Sequence, residues 1–206
     1  MTDSTSPGIA LKEASKVLDQ DPFWAVRAKA IENYASLEQS QCRLLAALGN
    51  IEPEVAGIIF FKISSTDSRN KIIEKLFRRK YQGQYNLFIN SLVSQLKPIN
   101  IKRNEIVHWN TIQTISGSTP SDWSLSLIPP NFWEHNVDSP SIGIQDLVTF
   151  ANKCSFYSRL INMFSVVMDP RYQEQLASTR DTWLGIFSQA ITYPPQAGHP
   201  LCPQVE

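Results

Sequence analysis

Cysteine and histidine are both scarce in this chain, three of each in 206 residues. Cys42, Cys154 and Cys202 are odd in number and far apart, so they suggest neither a disulfide framework nor a paired-thiol metal motif. His108, His135 and His199 are too scattered to supply zinc ligands at short spacing. Long apolar runs are missing as well. The best, Val55 to Phe61, falls far short of the ~20 residues that a membrane-spanning helix needs. The opening MTDSTSPGIA has no basic start followed by an apolar stretch, so no signal peptide is expected. Charge of one sign is not in excess either: Lys plus Arg equals Asp plus Glu, at 19 each. No internal repeat is evident. These absences point to a cytoplasmic, reduced protein without a membrane segment, a resident metal or a cofactor, and of a length suited to one domain.

The charge is nevertheless uneven. Nine of the 19 basic residues lie between Arg69 and Arg103, where Glu74 is the lone acid. Such a stretch can focus positive potential on one region, or simply solvate several helix faces.

Apolar spacing predicts helices over most of the chain. Residues 1–20 read as a polar lead-in, with a short helix around Ile9 to Leu18. Asp21-Pro22 is a good helix start. The stripe Ile31, Tyr34, Leu37, Gln41, Leu44, Leu45, Leu48 predicts a helix of roughly 40 Å that stops at Gly49. A second helix from Pro53 is apolar on most sides, which predicts burial. A third carries Ile72, Ile73, Leu76 and Phe77 and fades at Gly83. A fourth carries Tyr85, Phe88, Ile89, Leu92, Leu96, Ile99, Arg103 and Ile106, with Pro98 predicting a kink or a fresh start near Asn100.

The texture then changes to β-formers, Thr111–Ser116 and Trp123–Ile128, around the turn-rich GSTPSD. A β-hairpin at about 111–128 is expected, with Trp123, Phe132 and Trp133 covering it against the helices. A long helix returns over Ile144–Met168 and ends at Asp169-Pro170. A last one passes through Trp183, Leu184, Ile186 and Phe187. The fold class is all-α: a helical bundle, residues 21–190, with a small inserted hairpin before the last long helix. Residues 191–206 read as a flexible proline-rich tail.

The chemistry gathers in IKRNEIVHWN, residues 101–110. On a helix Asn104 and His108 share a face, and Arg103 is about 100° round the axis with an arm long enough to reach it. Arginine offers a permanent forked charge to phosphate oxygens, histidine can give or take a proton near neutrality, and asparagine can orient either. No paired carboxylates lie nearby to hold Mg²⁺ for a two-metal nuclease. Other readings stand beside this one: His108 hydrogen-bonded inside the bundle, and Arg103 in a buried ion pair with Glu105 or a distant acid. Trp109 is a candidate for stacking on a base or for the core. Arg69, Lys71 and Lys102 are candidates for an RNA path or for plain solvation.

Arg103-Asn104-Glu105-Ile106-Val107-His108 resembles the Arg-x₄₋₆-His signature, with a polar residue directly after the arginine, of the HEPN (higher eukaryotes and prokaryotes nucleotide-binding) superfamily. The resemblance runs over roughly residues 21 to 168 in helix order and is specific only at these positions. It implies a helical bundle that dimerises, bringing two copies of the motif into one cleft. It further implies a metal-independent endoribonuclease in which Arg103 and His108 are catalytic and Asn104 supports them, plausible for a toxin with a cognate antitoxin protein or for an antiviral defence effector. A non-catalytic HEPN-like module that binds nucleic acid or protein is the alternative.

Overall fold

The computed structural model describes residues 22–115, 123–130 and 140–202, apart from the side chains of Ile115 and Trp123. The expected lead-in helix, the Asp21 cap, the GSTPSD turn and the covering roles of Trp123, Phe132 and Trp133 lie outside that description. Helices α1 (Pro22–Gly49), α2 (Pro53–Lys62), α3 (Thr66–Tyr81) and α4 (Asn86–His108) are followed by strands β1 (Asn110–Ile115) and β2 (Trp123–Ile128). Helix α5 (Ile144–Met168), a 3₁₀ turn (Pro170–Tyr172) and α6 (Arg180–Phe187) complete the order. The protein is thus mostly helical with a small two-stranded antiparallel hairpin, as its periodicity predicts.

Helix α1 is the spine and packs mainly along α5. Tyr34, Leu37, Gln41, Leu44, Leu45 and Leu48 of its stripe are buried, whereas Ile31 is 38% exposed. Between α1 and α2 the chain turns by 120°. The left-handed residue at this corner is Asn50, φ 51°, an asparagine serving where glycine is more usual. Helix α2 departs from expectation. Ala56 and Phe60 are buried, but Val55, Ile58, Ile59 and Phe61 are 43–67% exposed. A ten-residue helix beyond the corner touches the bundle along one edge, so the remaining apolar sides of the run have nothing to pack on. No single helix among the described residues is long and apolar enough to cross a membrane.

Pro98 neither ends α4 nor restarts it: the helix is continuous from Asn86 to His108. A proline there forfeits one backbone hydrogen bond. Buried Leu96 and Ile99 on either side hold the turn to the core. In the hairpin, Asn110 pairs with Ile128 and Ile115 with Trp123. Leu125 and Leu127 face inward, as their alternation predicts. Leu127 also exchanges two 2.9 Å backbone hydrogen bonds with Ile142, which ties the hairpin to the start of α5.

The far end of the core is aromatic. Phe164 meets Phe77, Phe88 and Phe187 at centroid distances of 5.0 Å, and Tyr81 and Tyr85 edge-on at 5.4 and 5.8 Å. The segment expected to be a flexible tail is folded down over α5 through residue 202. The Ile191 amide donates to Ser91 Oγ at 2.8 Å, Tyr193 and His199 lie against Phe156, and Leu201 is 9% exposed. Its prolines obscure a sparse set of apolar anchors that gain burial only when α5 and α6 are in place.

Buried phenols make a prediction about alkali. Burial, then the Glu38 carboxylate, pushes the Tyr34 hydroxyl up to about 12, and burial followed by Tyr85 pushes Tyr81 up to about 12. In the unfolded chain tyrosine ionises near ~10. Between these values the unfolded state has shed protons that the native state keeps, so stability falls as pH rises. Thermal melting by circular dichroism should drop clearly between about pH 9 and about pH 11. An unchanged midpoint would mean that these hydroxyls are not sequestered.

Candidate functional site

Helices α1 and α4 run antiparallel along one seam. Arg27, near the start of α1, reaches the end of α4, while Tyr34 two turns later reaches Asn100 and Arg103. The reason lies in helix termini: the last four carbonyls of α4 have no partners within the helix. Arg27 supplies two of them, the carbonyls of Ile106 and Val107, with Nε and Nη2 donating to Ile106 O at 3.1 and 2.8 Å. Nη2 also approaches the carbonyls of Val107 and Trp109, both at 3.4 Å, and Nη1 reaches Thr111 Oγ1 at 3.3 Å. Its positive charge also suits the negative end of the helix dipole. Burial pulls the Arg27 pKa below its usual value, though the guanidinium stays charged.

One turn deeper lies a polar cluster. Tyr34 OH donates to Asn100 Oδ1 at 3.0 Å, and Thr66 Oγ1 donates to the same oxygen at 3.2 Å. Arg69 donates to Thr66 at 3.1 Å, pairs with Glu38 at 2.8 Å, and sits 4.7 Å over the Phe60 ring. Together these groups join α1, α3 and α4 beneath the surface. Arg103 lies over this floor, its guanidinium 5.3 Å from the centroid of Tyr34. Its Nη1 donates to Asn104 Oδ1 at 3.1 Å, while its Nε is enclosed without a hydrogen-bond partner.

Of the residues that the sequence singled out, Arg103, Asn104 and His108 lie on the last two turns of α4, where Arg103 and Asn104 touch each other through a hydrogen bond. Asn104 and His108 are exposed, and Arg103 is half-buried. His108 makes no hydrogen bond or ion pair among the described residues, so it is not held inside the bundle. Arg103 has no carboxylate partner among the described residues: Glu105 pairs with Lys102 at 3.0 Å and Glu38 with Arg69.

The expected flanking contacts fare differently. Arg69 is 9% exposed and committed to Glu38, so it is a structural cation rather than part of a surface path. Lys71 is exposed but paired with Asp67 at 2.6 Å. Lys102 is likewise paired. Trp109 caps α4 and packs half-buried against the core, so it is poorly placed to stack on a base.

Arg27, Tyr34 and Asn100 escaped sequence reasoning. Their trace is faint: Trp24, Arg27, Ile31, Tyr34 and Glu38 follow alternating steps of three and four, which marks one face of α1. That this face meets α4 is a fact of the fold. Among the described residues no group of three or more His, Cys, Asp or Glu side chains is gathered as a metal site. No family model, curated protein or solved structure matches this chain.

Proposed function

We propose that this protein is a metal-independent endoribonuclease of HEPN type, acting as a homodimer and suited to a toxin or defence role. One observation carries the reading. Arg103 is a guanidinium without a carboxylate partner among the described residues, hydrogen-bonded to Asn104 on the same two helical turns that carry exposed His108, while neighbouring Arg69 and Lys102 are each neutralised by an acid. An unneutralised cation beside a free imidazole suits a phosphodiester.

In this mechanism the RNA 2′-OH attacks the adjacent phosphorus as His108 of one copy takes its proton. The P–O5′ bond breaks, and the leaving O5′ receives a proton from His108 of the other copy. Arg103 stabilises the charge that builds on the phosphoryl oxygens, and Asn104 keeps the guanidinium aimed. The products are a 2′,3′-cyclic phosphate and a 5′-OH. DNA, lacking the 2′-OH, is not cleaved. One observation favours the alternative, a non-catalytic HEPN-like module that binds nucleic acid or protein: no second side chain among the described residues orients the His108 ring, as a general base usually requires.

The test is incubation of the purified full chain with total RNA in excess EDTA, with end-group analysis of the fragments. Cyclic phosphate ends on RNA, with single-stranded DNA left intact, are expected. Intact RNA at stoichiometric protein would leave the binding module.

A further inference from the structure

Trp24 has no part in the mechanism above, yet it stands at the open end of the same seam. It is 39% exposed, and its neighbour Phe23 anchors it edge-on from the core at 5.7 Å. The Arg27 guanidinium lies 5.7 Å from the Trp24 ring centroid, and that same guanidinium grips the carbonyls of Ile106, Val107 and Trp109. The indole is therefore fixed one guanidinium away from the turn that carries His108. A large aromatic ring held at the surface by a cation, beside an unneutralised arginine, matches a single-stranded nucleic acid: the ring takes a base face, and the cations take the backbone.

Charge along the seam favours this occupant over an apolar protein segment. Among the described residues its acids, Glu38 and Glu105, are each neutralised by a basic residue, which leaves Arg27 and Arg103 in excess there. Trp109, the sequence's own candidate for stacking, is turned to the core.

We infer that Trp24 is a base-stacking platform that binds an unpaired nucleobase next to the phosphate held at Arg103, Asn104 and His108. This rests on the reading of those three residues as a phosphate site. It adds a substrate class: single-stranded RNA with a splayed base, and not a duplex, whose bases are already stacked on each other. Stacking uses the π face of any base, so sequence preference at this position is weak.

Binding can be separated from cleavage with a fluorescent 2′-O-methyl oligoribonucleotide, which has no free 2′-OH to attack. Fluorescence anisotropy with the full-length wild type, Trp24→Ala and Trp24→Phe is the measurement. W24A should weaken binding by about tenfold or more, W24F by no more than about threefold, and duplex RNA should compete poorly. Circular dichroism should show W24F melting like the wild type, and W24A, which loses the ring's contacts with Phe23 and Arg27, still fully folded at the assay temperature. If W24A binds the probe like the wild type, the platform is overturned, whether or not the wild type cleaves RNA. If sedimentation shows that W24A converts a dimer to monomers, Trp24 is a contact between copies and the platform is equally overturned. Binding that depends on Trp24, from a wild type that cleaves nothing, supports the platform and removes only the nuclease reading.

Discussion

His108→Ala and Arg103→Ala are each expected to reduce RNA cleavage by about 10²–10⁴-fold, the range typical for loss of a positioned proton-transfer group. The two variants are not equivalent controls. His108 is exposed and unbonded among the described residues, so its removal should leave stability within about 0.5 kcal/mol of wild type. A loss of activity at an unchanged melting temperature then belongs to chemistry. Arg103 is half-buried over Tyr34, so R103A also removes packing. Arg103→Lys answers that objection: it keeps the charge and loses the planar fork, and should restore stability better than activity. Cleavage by H108A at the wild-type rate would end the catalytic reading, whatever R103A does.

The largest effect on the fold is expected at Phe164. Its ring is 1% exposed and lies within 5.8 Å, centroid to centroid, of five other aromatic rings drawn from α3, α4, α6 and the turn before α4. Truncating a buried phenylalanine costs about 3–5 kcal/mol, from lost transfer energy and from a cavity that its surroundings cannot fill. The five neighbours are rigid rings spread over three helices and the turn before α4, so collapse onto the gap is hindered and the upper part of that range is expected for Phe164→Ala. For a chain of this size that is a fall in melting temperature of roughly 6–20 °C, measured by calorimetry. A shift under about 2 °C would mean that these rings do not form one packed unit. Because the cluster sits at the far end of the bundle from Arg103, a folded remnant of F164A should keep its oligonucleotide affinity.

How much of this was legible beforehand differs from element to element. Helix α5 was readable at both ends, because its apolar spacing is unbroken and Asp169-Pro170 stops it. The hairpin was readable from alternation in Trp123–Ile128. Helix α2 was misread. An apolar run records what a segment is able to bury, and whether a partner surface exists is decided elsewhere in the chain. The tail was misread in the opposite sense, since single anchors such as Ile191 and Leu201 carry no periodicity. That Arg103, Asn104 and His108 share the last two turns of one helix was legible, because they lie on one short stretch of sequence. Arg69 was not, because its ion pair with Glu38 joins residues 31 positions apart. Trp109, a candidate for stacking by its sequence position, packs half-buried against the core for the same reason.

The amino-acid order by itself determined where helices begin and end, the presence of a hairpin, and which side chains share a helix face, because these follow from local spacing and backbone preference. Only the tertiary structure decided which of those faces find a partner. It buried Arg69 against an acid, left Arg103 without one among the described residues, and set Trp24 beside the end of α4, because burial and charge pairing depend on what distant segments bring to the same place.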